Sequence, residues 1–266
     1  MTDLRLGSMV VEDRGTGTPV IMVHGLGGTS NSFQTMIDVL ENYRVIRPDI
    51  PGSGRSSYRP GRGGIEGMVQ MLRNLLKALG ENCCHFVGHS MGTLICQHLA
   101  ASLPCSVKSL TLFGPMLEPP PQARVALKER ADKARREGMT GIADIISSSS
   151  ISAKSLSDSP VISSLVRESI LRQKPEDYAV LCEALSESKA AKHEAIKCPT
   201  LLVVGDADQI TPIEMAKSLS EKILHSRVEI IKDVGHWPLV ENVEKSKKIL
   251  FDHLKLVEEK TGENNG

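Results

Sequence analysis

The stretch that decides the fold is His85-Phe86-Val87-Gly88-His89-Ser90-Met91-Gly92, which runs into a helical pattern over residues 91 to 102. His85-Phe86-Val87 reads as a short strand. The glycines at 88 and 92 let the backbone turn sharply and keep space clear around Ser90. A serine in that turn stands at the head of a helix, above the edge of a sheet, with its hydroxyl exposed. Short glycine–serine strings arise by chance. The strand before this one and the helix behind it are what set it apart from a glycine turn with a solvated serine.

Outward from this turn, apolar runs alternate with helical spacings. Upstream, Val10-Val11 and Val20-Ile21-Met22-Val23 read as strands, the second ending at His24-Gly25. Residues 30 to 41 look helical, and Tyr43-Arg44-Val45-Ile46-Arg47 is a short strand stopped by Pro48-Asp49. Ile65, Met68, Met71, Leu72, Leu75, Leu76 and Leu79 form the buried stripe of an amphipathic helix. Downstream, Val107 to Phe113 is a strand, and the alternation then pauses from Gly114 to about Lys192. Pro119-Pro120-Pro121 opens this region, which has short helical patterns and no convincing strand. The alternation resumes with the strand Thr200 to Val204, a helix from Pro212 to Leu224, the strand Val228 to Ile231 and a helix from Val243 to Glu258. Lys260 to Gly266 reads as a frayed tail.

Strand–helix alternation with short connections implies an α/β fold whose mostly parallel sheet is flanked by helices. The helical stretch reads as a cap inserted before the last two strands, over the carboxyl ends where open α/β sheets bind ligands. The expected organisation is a first core part over 1–115, a helical cap over 116–192 and a second core part over 193–266.

A serine hydroxyl needs a base to become a nucleophile. Of the eight histidines, His24 and His89 lie inside other motifs, and His85 and His98 sit within elements. His193, His225 and His253 have no distinctive setting. His236, in Val234-Gly235-His236-Trp237-Pro238, follows the last strand on a loop and suits a base reaching over Ser90. The base needs a carboxylate to hold its tautomer, and Gly205-Asp206-Ala207-Asp208 offers two just past a strand. Ser90, Asp208, His236 is the chain order expected of such a site, while Asp206 has an alternative use as a cap on its own turn. A developing oxyanion needs preorganised donors. These are expected to be the backbone N–H of Met91 and, from His24-Gly25-Leu26-Gly27-Gly28, that of Leu26. The latter loop lacks the Lys-Ser/Thr ending of a phosphate loop and the spacing of a dinucleotide site. Trp237, the one tryptophan, is a candidate pocket wall or a packing residue.

Composition narrows the partners. Lys plus Arg and Asp plus Glu are both 32, so net charge gives no reason to expect nucleic acid or an anionic membrane. No apolar run approaches the roughly 20 residues that span a bilayer, and the first residues show no signal core. The six cysteines have no zinc-type spacing, and Cys83-Cys84 reads as a pair of buried strand thiols. A cytoplasmic protein is the expectation. Aromatic residues are only 3%, which leaves aliphatic and methionine side chains to line a pocket. Arg124, Arg135 and Arg136 in the cap read as solvated helix surface or as partners for a substrate carboxylate.

Taken in order, the H-G-x-G-G loop, Asp49-Ile50-Pro51-Gly52-Ser53-Gly54-Arg55-Ser56, the G-H-S-M-G turn, G-D-A-D and G-H-W resemble the α/β-hydrolase superfamily from about residue 9 to 255. Leu112-Phe113-Gly114-Pro115 and Pro175-Glu176-Asp177-Tyr178 resemble the 3-oxoadipate enol-lactonase and carboxylesterase group within it. The loop from Tyr58 to Gly64, with Arg59, Pro60 and Arg62, is not matched to a motif of that group. The resemblance implies Ser90, Asp208 and His236 as catalytic triad, Leu26 and Met91 as oxyanion donors, and a mainly structural Asp49–Ser56 turn. It implies hydrolysis of a small-molecule carboxylic ester or lactone with no metal or organic cofactor. Haloalkane dehalogenases and epoxide hydrolases carry Asp where this chain has Ser90, which disfavours those reactions. Thioesterase, amidase or carbon–carbon bond hydrolase chemistry, a haloperoxidase-type side activity, and a receptor with little turnover are the alternatives. The oligomeric state has no signature in the sequence.

Overall fold

A computed structural model of the protein describes residues 2–57 and 63–263. Arg59, Pro60 and Arg62 lie outside the described residues. Eight strands, β1 (Thr2–Leu6), β2 (Met9–Arg14), β3 (Thr18–Val23), β4 (Tyr43–Pro48), β5 (Cys84–His89), β6 (Val107–Phe113), β7 (Thr200–Gly205) and β8 (Ser226–Ile231), form one sheet. Their order is β1-β2-β4-β3-β5-β6-β7-β8. The β1–β2 and β2–β4 pairs are antiparallel and every later pair is parallel. β3, apolar and buried from Pro19 to Val23, and the fully buried β5 and β7 are what a sheet covered on both faces requires.

Helices α1 (Gly64–Leu79) and α2 (Met91–Ser102) cover one face, sharing a core with Ile21, Phe86 and Leu112. A 3₁₀ helix over Ser30–Leu40 and the long α10 (Val243–Glu263) meet the other face at Val20, Val87, Phe113 and Val203. Helix α8 (Ile213–Lys222) follows β7, and the single-turn α9 (Pro238–Glu241) precedes α10. Between β6 and β7 the chain leaves the sheet for five helices: α3 (Pro121–Glu137), α4 (Thr140–Ser149), α5 (Ala153–Asp158), α6 (Pro160–Leu171) and α7 (Pro175–Glu187). No helix among the described residues is long and apolar enough to cross a membrane.

The structure adds to or corrects the reading of the sequence at four places. The strand β1 was not anticipated, although Leu4 and Leu6 alternate with exposed Asp3 and Arg5 as a half-buried edge strand does. The 30–41 segment is a 3₁₀ helix, started by a Thr29 cap. The last helix continues to Glu263 instead of fraying from Lys260. Cys83 is exposed and precedes β5, so only Cys84 is a buried strand thiol.

Candidate active site

The carboxyl ends of β3, β5, β7 and β8 converge, and the loops they feed carry the singled-out residues. Ser90 occupies the step from β5 to α2 with φ 52 and ψ −121, a strained geometry for a residue with a side chain, costing on the order of 1–3 kcal/mol. It is held there by its own backbone: Ser90 N donates to Phe113 O at 2.9 Å, and Ser90 O accepts from Thr93 N at 2.8 Å and Thr93 Oγ1 at 2.6 Å. The motif's second glycine is required by space. A Cβ on Gly92 would lie 2.0 Å from Val23 O, so any side chain there would push α2 off β3.

His236 Nε2 lies 2.8 Å from Ser90 Oγ, and His236 Nδ1 lies 2.8 Å from Asp208 Oδ2. The carboxylate can only accept a hydrogen bond, so Nδ1–H donates to it and Nε2 keeps a lone pair toward the serine hydroxyl. All three side chains are buried. Asp208 also accepts from Thr211 Oγ1 at 2.8 Å, Thr211 N at 2.9 Å and Ile210 N at 2.8 Å. Burial alone would raise its pKa. The His236 imidazole and the Thr211 donors overcome that and hold the carboxyl below its ordinary value. The other candidate carboxylate does a different job: Asp206 Oδ1 accepts from Asp233 N at 2.7 Å, tying the β7 loop to the β8 loop and not capping its own turn.

Leu26 sits in a tight turn closed by Gly28 N donating to Gly25 O at 3.0 Å. Gly27 takes φ 76 in that turn, where only glycine is unstrained. Its carbonyl accepts from Ser169 Oγ at 2.8 Å, in the last turn of α6, and from Gln173 Nε2 at 3.1 Å, just past the end of that helix. The inserted segment thus grips the loop that carries Leu26. Met91 is the first residue of α2, where backbone N–H groups have no intrahelical acceptor.

The His236 loop is gripped from the same side. His236 N donates to Ser150 O at 2.8 Å, and Trp237 Nε1 donates to Ser150 Oγ at 2.7 Å. The Glu241 carboxylate accepts from the backbone N–H groups of Gly235, Trp237 and Ser152, each at 2.9 Å. His89 Nε2 donates to His236 O at 2.8 Å. Burial pushes the His89 imidazole down to about 3, which keeps it neutral beside His236.

Ser90, His236, Leu26 and Trp237 open onto one cavity of about 410 Å³, roofed by α3, α4 and α7. Aliphatic groups such as Leu127, Ile146 and Met215 dominate its wall, as the low aromatic content predicts. Trp237 serves both proposed uses, lining the cavity and packing its ring 5.0 Å from that of His89. Arg124, Arg135 and Arg136 do not line it. Arg124 donates to Ser186 O and Glu118, Arg135 to Glu176 and Glu183, and Arg136 points outward.

A family model described as the alpha/beta hydrolase fold matches residues 18–243. The chain belongs to the α/β-hydrolase fold family. Within that family it is 28% identical to 3-oxoadipate enol-lactonase 2 of Acinetobacter baylyi over 240 residues, covering 88% of this chain and 85% of that one. It is 27% identical to lipase 3 of a Moraxella species over 262 residues, covering 87% and 75%. Among solved structures, a thermophilic esterase from Thermogutta terrifontis superposes with a TM-score of 0.88 at 29% identity, covering 94% of this chain and 93% of that one. This α/β hydrolase is therefore similar to esterases, lipases and enol-lactonases.

Reasoning from sequence passed over Thr211, Glu241, Ser150, Ser169 and Gln173. Thr211 had a local signal, three residues beyond Asp208, where a hydroxyl and an N–H reach back to a carboxylate. Ser150, Ser169 and Gln173 act across 80 or more residues of chain, as does Glu241 toward Ser152, and no local pattern announces those bonds; the bonds of Glu241 to Gly235 and Trp237 are local.

Proposed function

We propose that this α/β hydrolase cleaves carboxylic esters or lactones through an acyl-enzyme on Ser90. The observation that carries the reading is the continuous hydrogen-bonded line from Ser90 Oγ through His236 to Asp208, opening onto a largely apolar cavity. The similarity to esterases, lipases and enol-lactonases supports the same chemistry.

Ser90 Oγ attacks the acyl carbonyl while His236 Nε2 takes its proton, and Asp208 stabilises the imidazolium. The backbone N–H groups of Leu26 and Met91 receive the oxyanion. His236 then protonates the leaving alcohol oxygen as the carbon–oxygen bond breaks. Water enters, gives a proton to His236 and attacks the acyl carbonyl, and Ser90 leaves with that proton restored. For a lactone the leaving alcohol stays tethered to the acyl group, so one hydroxy acid results. The helices over 121–187 act as the cap that selects substrates, since they supply the roof and none of the reacting groups.

Turnover of p-nitrophenyl acetate by the purified protein tests this reading. Ser90→Ala is expected to lower kcat/KM by on the order of 10³ or more. A variant that keeps the original rate would overturn the assignment.

A further inference from the structure

The cavity carries one charged group that the chemistry above does not use. Among the described residues that line it there is no Asp or Glu, and Arg130 is the only Lys or Arg. Arg130 sits on the face of α3 that also presents Ala123, Ala126 and Leu127 to the cavity. The positions one helical turn away, Ala126, Leu127, Lys133 and Ala134, include no acid to neutralise it. The neighbouring arginines are spent on carboxylates of their own: Arg124 on Glu118, and Arg135 on Glu176 and Glu183. Arg130 is half-buried, so its guanidinium keeps only part of the water that would screen it.

A second unsatisfied group stands beside it. Tyr178 on α7 is fully buried, lines the same cavity, and has a hydroxyl with no hydrogen-bond partner. That hydroxyl faces Arg130 and Cys182. Burial holds the phenol protonated, so it keeps a proton to donate. A buried hydroxyl without a partner costs free energy that an incoming acceptor recovers. The Arg130 guanidinium at the wall of a cavity with no fixed negative charge, backed by the buried Tyr178 hydroxyl on the adjacent helix, matches a carboxylate.

We propose that Arg130, assisted by Tyr178, binds a carboxylate carried by the substrate away from its scissile carbonyl, so that the site prefers anionic esters or lactones to neutral ones. This rests on the hydrolase reading above and names its substrate class. Arg130 touches substrate without entering the bond changes, which remain those of ester hydrolysis.

The test compares kcat/KM for paired substrates at pH 8. One series uses monomethyl esters of straight-chain dicarboxylic acids of increasing length against their terminal amides, which keep the shape and lose the charge. A second uses acetyl esters of hydroxy acids against the matching hydroxy amides, which moves the charge to the alcohol part. The expected result is a preference of about ten- to a hundredfold for the anion in at least one series. Arg130→Met is expected to abolish that ratio, and Arg130→Lys to retain part of it. A ratio near one in the unaltered protein, or a preference that survives Arg130→Met, overturns the proposal. Labelling of Ser90 by a fluorophosphonate in the unaltered protein separates the two readings. Labelling with neutral-ester turnover and no anion preference sinks only the carboxylate site, whereas no label and no turnover sinks the hydrolase reading itself.

Discussion

The strand-end loops and the inserted helices face each other across one cavity, yet they place their residues by different physics. On the sheet side, position follows from backbone constraint. Ser90 is pinned in a strained turn by Phe113 O and Thr93, and Gly92 leaves no room for any other residue. On the helical side, position follows from packing and long-range hydrogen bonds, such as Tyr178 fully buried on α7 or Glu241 joining Ser152 to the His236 loop. The first kind of placement tolerates almost no substitution and fixes a chemistry. The second can be altered residue by residue, which fits the proposed role of these helices in selecting substrates.

Three experiments sharpen that contrast, beginning with the sheet side. Asp208→Asn keeps the shape and removes the charge that holds the His236 tautomer, and kcat is expected to fall on the order of 10³ to 10⁴. Asp206→Asn weakens only the bond to Asp233 N and is expected to cost about 1 kcal/mol of stability with turnover retained. Dead Asp206→Asn beside active Asp208→Asn, with both well folded, would reverse the assignment.

At the seam between the two regions, Glu241→Gln leaves one acceptor where two oxygens now serve three N–H groups. The expected outcome is a loss of about 1–3 kcal/mol in stability from unpaired donors, with a roughly tenfold slower reaction of Ser90 with a fluorophosphonate well below the melting temperature. An unchanged labelling rate would mean that the seam holds the fold together without positioning His236.

The smallest effect lies far from the cavity, on α10. His253 is pushed down to about 4, first by burial and then by Arg227. The folded state therefore stays neutral where the unfolded chain takes up a proton near ~6.5. The contribution is fully present above that pH and is lost as pH falls toward about 4. His253→Gln, which keeps a donor for Leu110 O, is expected to reduce the acid slope of unfolding free energy by up to about 1.4 kcal/mol per pH unit below ~6.5. Urea titrations at several pH values measure this, and identical slopes would show that His253 does not set acid stability.

The same contrast explains what the sequence made legible. The sheet side was readable because each position has a local cause: a glycine pair around Ser90, a loop after β7 for Asp208, a loop after the last strand for His236. The edge strand β1 escaped because an alternation of only two leucines, Leu4 and Leu6, is too short to stand out. On the helical side the five helices follow from composition and breakers, but their use does not. Arg124, Arg135 and Arg136 drew attention while Arg130 is the arginine that lines the cavity. Helical spacing from Ala123, Ala126 and Leu127 points to Arg130, but only once the face turned toward Ser90 is known.

The central claim is that Ser90 is an activated nucleophile. Mass spectrometry of the purified protein after reaction with a fluorophosphonate tests it directly. The account predicts a single adduct, mapped to the peptide carrying Ser90 and absent from Ser90→Ala. An adduct on a different serine, or no adduct on protein that turns over esters, would contradict it.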